Sequence, residues 1–442
     1  MGTPSIVIIY ADDLGYGDVG CFGSIDVRTP HLDRLAARGI RFTDWYSNSP
    51  VCSPSRAALL TGRHPVHAGV QEILGGGRGA SGLPPQPTLA SRLAEAGYAT
   101  GIFGKWHLGA GEGYRPLDRG FARHYGFLAG CVDYYSHIFY WGRGNPLHDL
   151  WDDEREVWHN GRYLTEVIAE KAVAFIDAHA EEPFFCFVPF NAPHYPMHAP
   201  AAYVDRFPDL APDRRIMAAM ISAMDDGIGR ILDALEDHGL ADDTLVFFSS
   251  DNGPSTESRN WLNGEEVSYQ GGSTGGLRGH KGSLFEGGIR VPTIVSWPAQ
   301  LPQGAVDHAP AQMMDLVPTV LDAFALDGAD DADGASRIHR WRRAGEASAQ
   351  QPETADAAEQ STLFWEYGPQ LAARRGRWKL TVSPREHLGG PYALGSIHLA
   401  DLETDPGEQH DSSAAQPEIA AELYDAVQAW ADETGWNAAD WS

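Results

Sequence analysis

SIVIIYADD, residues 5–13, is the stretch that decides the fold. From Ile6 to Tyr10 every position is apolar or aromatic, so no face of this strand can be left wet. A strand covered on both sides belongs to a parallel sheet sandwiched between layers of helices. The rest of the first three quarters follows that grammar. TPHLDRLAARG (29–39), YLTEVIAEKAVAFIDAHA (163–180) and RIMAAMISAMDDGIGRILDALEDHG (215–239) have the helical period, and TLASRLAEAGYATGIFG (88–104) runs from a helix into an apolar strand. PFFCFVPF (183–190), TLVFFSSD (244–251) and RVPTIVSWP (290–298) read as further strands. The expectation is an α/β fold, a large, mostly parallel mixed sheet flanked by helices.

At 442 residues the chain is too long for one ordinary core. Around 327–361 the composition turns to Ala, Asp, Gly and Gln with almost no large aliphatics, which predicts a long surface connection. Beyond it TLFWEYG, RRGRWKLTVS and SIHLADLETDPGE read as short antiparallel strands, closed by the helix PEIAAELYDAVQAWADET. We therefore expect a main α/β domain at 1–326, a connection at 327–361 and a small C-terminal α+β subdomain with an antiparallel sheet at 362–442.

The formal net charge is -27, from 60 acidic and 33 basic residues. Such a field argues against nucleic acid or an anionic membrane surface as partner, and no apolar run reaches the length of a membrane span. An anionic substrate would need a local cluster of cations to overcome it. Four cysteines, Cys21, Cys52, Cys131 and Cys186, lie far apart without a CxxC pair, so neither a disulfide framework nor a zinc knuckle is expected. Together with the lack of a visible signal peptide, this leads us to expect a cytoplasmic location. Ile6 stands where a myristoylation motif needs Ser or Thr.

Two strand ends are acidic. Asp12 and Asp13 follow one apolar run, and Asp251 and Asn252 follow another more than two hundred residues later. Ligands of open parallel sheets bind at such carboxyl ends. The acids are either turn formers or, meeting there, an all-oxygen set suited to Ca²⁺ or Mg²⁺. In VCSPSRAALLTGRHP (51–65), Ser53 and Ser55 can cap a helix, Pro54 suits its first turn, and Gly62 and Pro65 can end it. Cys52 then lies at a helix N-terminus with Arg56 one turn in, an arrangement that attracts an anion. The spacing is not that of cysteine phosphatases, so a plain thiolate nucleophile is not indicated. Lys105 and His107 in GKWHLG, His194 in NAPHYP, and His280 and Lys281 in GLRGHKG all sit beside strand ends and supply the required cations.

These blocks resemble the type I sulfatases of the alkaline phosphatase superfamily. CSPSR followed by AALLTGR, GYATGIFGKWHLG, ADDLGYGD, NAPHYP, SSDNG and GLRGHKGSLFEGGIRVP all match, over about residues 4–325, with GRWKL and DLETDPGE extending the likeness. The resemblance implies an alkaline phosphatase-like fold and a sulfuric ester hydrolase. It implies that a formylglycine-generating enzyme oxidises Cys52 to formylglycine. One hydroxyl of the aldehyde hydrate can then attack sulfur and the other expel sulfate. It also implies one Ca²⁺ held by Asp12, Asp13, Asp251, Asn252 and the modified Cys52. Arg56 would hold the hydrate, Lys105 and Lys281 would neutralise the sulfuryl oxygens, and Asp251 would accept the attacking proton. His194, with Lys281, would protonate the leaving alcohol and His107 would act as base in the expulsion.

The segment 131–163 is dense in aromatics and histidine. Tyr134, Tyr135, His137 and Trp141, with His280, are candidate substrate contacts, the alternative being a surface insertion whose aromatics pack beneath it. Ring stacking with many polar groups favours sulfated carbohydrate over simple aryl sulfates as the natural substrate. Two other readings stand beside this one: a phosphodiesterase or phosphonate monoester hydrolase using the same residue, and an unmodified glycan-binding protein.

Overall fold

The computed structural model describes residues 3–139, 146–256, 269–346 and 361–436, with the backbone of the hairpin strands at 260–262 and 265–267. Trp141 and residues 347–360 lie outside the described residues. The main sheet has ten strands: β1 (Ser5–Ala11), β2 (Ile40–Phe42), β3 (Ala99–Lys105), β4 (Arg123–Phe127), β5 (Trp151–Asp152), β6 (Arg155–Glu156), β7 (Phe184–Pro189), β8 (Thr244–Ser250), β9 (Thr293–Ser296) and β10 (Ala305–Asp307). Their order is β10-β2-β9-β8-β1-β7-β3-β4-β5-β6. The central block from β8 to β4 is parallel throughout. β9 runs antiparallel to β8 and β2, while β5 and β6 add antiparallel pairs at the far edge, so the sheet is mixed as expected.

Side chains of β1 alternate between two cores. Val7, Ile9 and Ala11 join the helices α1 (Pro30–Ala37), α3 (Leu164–Ala178) and α4 (Pro212–Asp237) on one face. Ile6, Ile8 and Tyr10 join α2 (Cys52–Thr61) and α5 (Leu316–Ala323) on the other. Both faces are dry, which is why the run has no polar position. Cutting one such side chain back to Ala costs about 2–5 kcal/mol.

Register places the site. Ala11 pairs with Ser250, so Asp12 and Asp13 leave β1 at the level where Asp251 and Asn252 leave β8. Tyr10 pairs with Pro189 on the other side, which brings the loop carrying His194 to the same edge. β3 lies next to β7 and ends at Lys105.

The C-terminal strands β11 (Leu363–Tyr367), β12 (Gln370–Arg375), β13 (Trp378–Val382) and β14 (Ile397–Asp401) form a separate antiparallel sheet. The helix α6 (Pro417–Thr434) covers one face, with Leu423 and Val427 against Leu371, Leu380 and Leu399. On the opposite side Trp365, Tyr367 and Ala372 pack on Tyr46, Val51, Leu284 and Ile289 of the main domain. Lys379 crosses this boundary, fully buried, with Nζ 2.9 Å from Glu286 and 3.2 Å from Glu408. Lys379→Met takes from Glu408 its buried cation and leaves Glu286 with Arg290 at 3.3 Å, so we expect a loss of about 3 kcal/mol in a urea unfolding titration.

The expected surface connection is corrected in its first part. Ile338 and Trp341, on the short helix Ile338–Arg342, are buried in the core, while Arg337 pairs with Asp315 at 2.8 Å and Arg340 with Asp307 at 2.6 Å. Two apolar residues three apart give a single turn an anchoring face, a signal that vanishes in an average over the window.

Candidate active site

α2 begins at Cys52 itself, after an extended Val51, and ends at Gly62, whose φ of 73° is left-handed. The serines do not cap it. Ser53 Oγ accepts the Leu74 N–H at 3.1 Å, tying a neighbouring loop to the helix, and Ser55 Oγ donates to the Ser49 carbonyl at 2.8 Å. The first turn of α2 therefore presents its amides and Cys52 to the same buried volume. Cys52 is 2% exposed. Burial pushes its thiol up despite the opposing charges of Lys105 and Lys281, so a free thiolate is disfavoured.

Around it three carboxylates meet three cations, all buried. Lys105 Nζ donates to both oxygens of Asp12 at 2.8 Å. Lys281 Nζ donates to Asp13 Oδ2 at 2.9 Å. Arg56 grips Asp251 Oδ2 through Nε at 3.1 Å and Nη2 at 2.8 Å, and its Nη1 donates to the Lys105 carbonyl at 3.1 Å. Asp13, at φ 62°, donates its N–H to Asp251 Oδ1 at 3.1 Å, which locks the two strand ends together. The Asn252 Nδ2 donates to Asp13 Oδ1 at 2.7 Å, and the Asn252 Oδ1 is buried without a hydrogen-bond partner.

Burial holds the Asp12 carboxyl well above the usual range, even against Lys105. Ligand atoms of Asp12, Asp13 and His194 lie within 4.8 Å of one another. Buried carboxylates beside an orphaned amide oxygen are a donor set that could hold a hard divalent cation.

The two histidines have defined tautomers. His194 Nδ1–H donates to the Tyr195 carbonyl at 2.7 Å, which leaves Nε2 to accept from Lys281 Nζ at 3.3 Å. His107 Nε2–H donates to the Leu74 carbonyl at 3.0 Å, which leaves Nδ1 buried and without a partner. Burial first, then lysine charge, holds both imidazoles well below the usual range. Gly130 is required here, because a Cβ would stand 2.7 Å from the His107 ring.

Cys52, His107, His194 and Lys281 open into one cavity of about 470 Å³. Its remaining wall includes Ile73, Leu74, Cys131, Phe139 and Tyr195, residues that sequence reasoning did not single out. The run of glycines at 75–77 after Ile73 and Leu74 was the available signal.

The expected substrate wall is corrected. Tyr134 is 1% exposed, stacks on Tyr163 and donates its hydroxyl to the Asn191 and His194 carbonyls at 2.8 and 2.7 Å, so it supports the His194 loop from beneath. His137 is buried, with Nε2–H donating to the Arg162 carbonyl at 3.2 Å. Tyr135 packs against Tyr163 and His198. His280 is held through its N–H to the Glu386 carbonyl and does not line the cavity. Of that group Trp141 lies outside the described residues.

The cavity loop is also tied to the C-terminal sheet. Glu366 is 4% exposed and both its oxygens accept from the Gln71 amide, at 3.3 and 3.4 Å. Burial pushes its carboxyl up to about 7. A carboxyl raised in the folded state destabilises it increasingly as pH climbs from the unfolded value of about 4.3 to about 7, then levels off. Glu366→Gln should therefore stabilise the protein by about 3–4 kcal/mol at pH 8 and change little at pH 4.5, as read by thermal midpoints.

A doubly covered α/β sheet whose carboxyl edge gathers a candidate metal cluster, paired cations and a helix N-terminus is built to hold an anion beside Cys52. The chain belongs to the sulfatase family, whose model, Sulfatase, matches residues 4–326. It is 32% identical to arylsulfatase A of Bos taurus over 96% of this chain and 86% of that protein. It is 35% identical to N-acetylgalactosamine-6-sulfatase of Sus scrofa, over 74% of this chain and 63% of that one. A crystal structure of Ps i-CgsB in complex with k-i-k-neocarrahexaose superposes with a TM-score of 0.82 and 30% identity, covering 97% of this chain and 92% of the other. The protein is a sulfatase.

Proposed function

We propose that this sulfatase hydrolyses sulfate monoesters with residue 52 as formylglycine, installed by a formylglycine-generating enzyme, and with one Ca²⁺ among Asp12, Asp13, Asp251 and Asn252. When present, the modified residue supplies an oxygen nucleophile and the ion supplies positive charge to the sulfuryl oxygens. The observation that carries the reading is the placement of Cys52 where its thiolate is disfavoured, at a helix N-terminus that faces the carboxylate cluster and the cavity.

The chain's own groups divide the remaining work. Arg56 fixes Asp251 and, through the Lys105 carbonyl, the end of β3. Lys105 and Lys281 offset negative charge on the bound sulfate. Lys281, 3.3 Å from the bare Nε2 of His194, is placed to pass a proton through that nitrogen to the departing alcohol, and His107 accepts one at its unpartnered Nδ1.

Matched sulfate monoesters and phosphate diesters should be compared by kcat/KM on protein of known modification state. The sulfate ester is expected to be the better substrate. Preference for the diester or a phosphonate ester would favour the phosphonate hydrolase reading instead.

A further inference from the structure

We infer that Glu366, acting through Gln71, is a positioning residue for His107: it holds the cavity loop whose Leu74 carbonyl keeps that imidazole in the tautomer with Nδ1 bare. This rests on the reading of His107 as the base that accepts a proton when sulfate is expelled. His107 lies two residues past β3 at φ 55°, left-handed for a residue with a side chain, and Gly130 lies against its ring. Among the described residues the ring makes a single hydrogen bond, from Nε2–H to the Leu74 carbonyl at 3.0 Å. That carbonyl alone therefore selects which ring nitrogen carries the proton.

Leu74 belongs to an irregular stretch, residues 71–77, that ends in consecutive glycines and leaves Glu72, Ile73, Gly75 and Gly77 exposed. Besides the bond from His107, two kinds of hydrogen bond fasten this stretch to the rest of the described fold. The Leu74 N–H donates to Ser53 Oγ at 3.1 Å, and the Gln71 amide donates to both Glu366 oxygens at 3.3 and 3.4 Å. The far anchor is firm. Glu366 lies on β11, where the Trp365 indole N–H donates to the Ser47 carbonyl at 2.8 Å and the Phe364 carbonyl accepts from Gln312 Nε2 at 3.0 Å. Glu366 itself is buried, and Gln71 is its one hydrogen-bonding partner among the described residues, with no cation beside it. A carboxyl desolvated for one amide adds little to stability, and the geometry leaves it the task of holding the loop.

The test compares Gln71→Ala and Glu366→Leu, which break the strap, with Glu366→Gln, which keeps an acceptor for the Gln71 amide. Ring-nitrogen NMR of protein carrying isotopically labelled histidine, with His107→Ala to assign the signal, reads the tautomer directly. His107 should show Nε2 protonated and Nδ1 bare in the unaltered protein and in Glu366→Gln, and a mixture of tautomers in the two strap-breaking variants. Alcohol leaves before His107 acts and sulfate after it. In the strap-breaking variants kcat should therefore fall about ten- to hundredfold with kcat/KM nearly unchanged, and alcohol should appear in a rapid burst ahead of sulfate. Glu366→Gln should keep the original kinetics. Gln71→Ala, at a half-buried loop position, carries the test by itself should Glu366→Leu fail to fold. An unchanged tautomer, an undiminished kcat, or a loss that falls equally on kcat/KM overturns the inference and leaves the sulfatase reading standing. An undiminished kcat in His107→Ala overturns the reading of His107 as the base, and this inference with it.

Discussion

Replacing Cys52 with alanine should abolish multiple turnover of every sulfate ester while the protein remains folded. The side chain removed is small, and its loss from a buried helix start should cost about 1 kcal/mol, visible as a modest fall in thermal midpoint. Activity should fall far more, because deleting a nucleophile costs on the order of a millionfold in kcat. Cys52→Ser separates the proposed chemistry from simple hydroxyl attack: a serine oxygen that attacks sulfur leaves a stable sulfate ester, so at most one turnover is expected. Sustained turnover by either variant would remove residue 52 from the mechanism.

Removal of divalent metal should be the second large effect. Asp12, Asp13 and Asp251 are buried within hydrogen-bond reach of one another's partners, and Asn252 Oδ1 points at no donor. Lysine and arginine partners limit the repulsion but leave the Asp12 carboxyl well above its usual range because of burial. A bound Ca²⁺ would favour the charged form of each oxygen ligand. Chelator treatment should therefore eliminate turnover and lower the thermal midpoint. Saturating Ca²⁺, at a thousand times its dissociation constant, should return about 4 kcal/mol of stability along with activity. A midpoint and rate unchanged by chelator would show that the carboxylates need only their protein partners.

What could be read from the residues depended on whether the determining forces were local. The β1 run is apolar on both faces because two cores cover it, so one segment reveals a layered architecture. Asp12 and Asp251 each follow a strand, and parallel pairing of β1 with β8 makes their meeting a consequence of register. The direction of β9 was not legible, since an antiparallel strand buried on both faces has the same composition as a parallel one. Ser53 and Ser55 matched a capping pattern, yet Leu74 and Ser49 supplied better partners from outside the helix. Tyr134 and His137 carry polar atoms that a sequence cannot assign to ligand or backbone. In the fold the carbonyls of Asn191, His194 and Arg162 take them. The cavity wall was missed for a related reason: Ile73, Leu74 and Phe139 are chemically ordinary, and only their convergence beside Cys52 gives them meaning.

The account rests most heavily on the chemical state of residue 52. Tryptic cleavage after Arg41 and Arg56 releases the peptide 42–56, and its mass should be measured in a preparation with demonstrated sulfate ester turnover. The predicted result is a peptide whose cysteine side chain has become an aldehyde, captured by a hydrazide reagent in proportion to specific activity. A fully active preparation in which that peptide carries only an intact thiol would contradict the account.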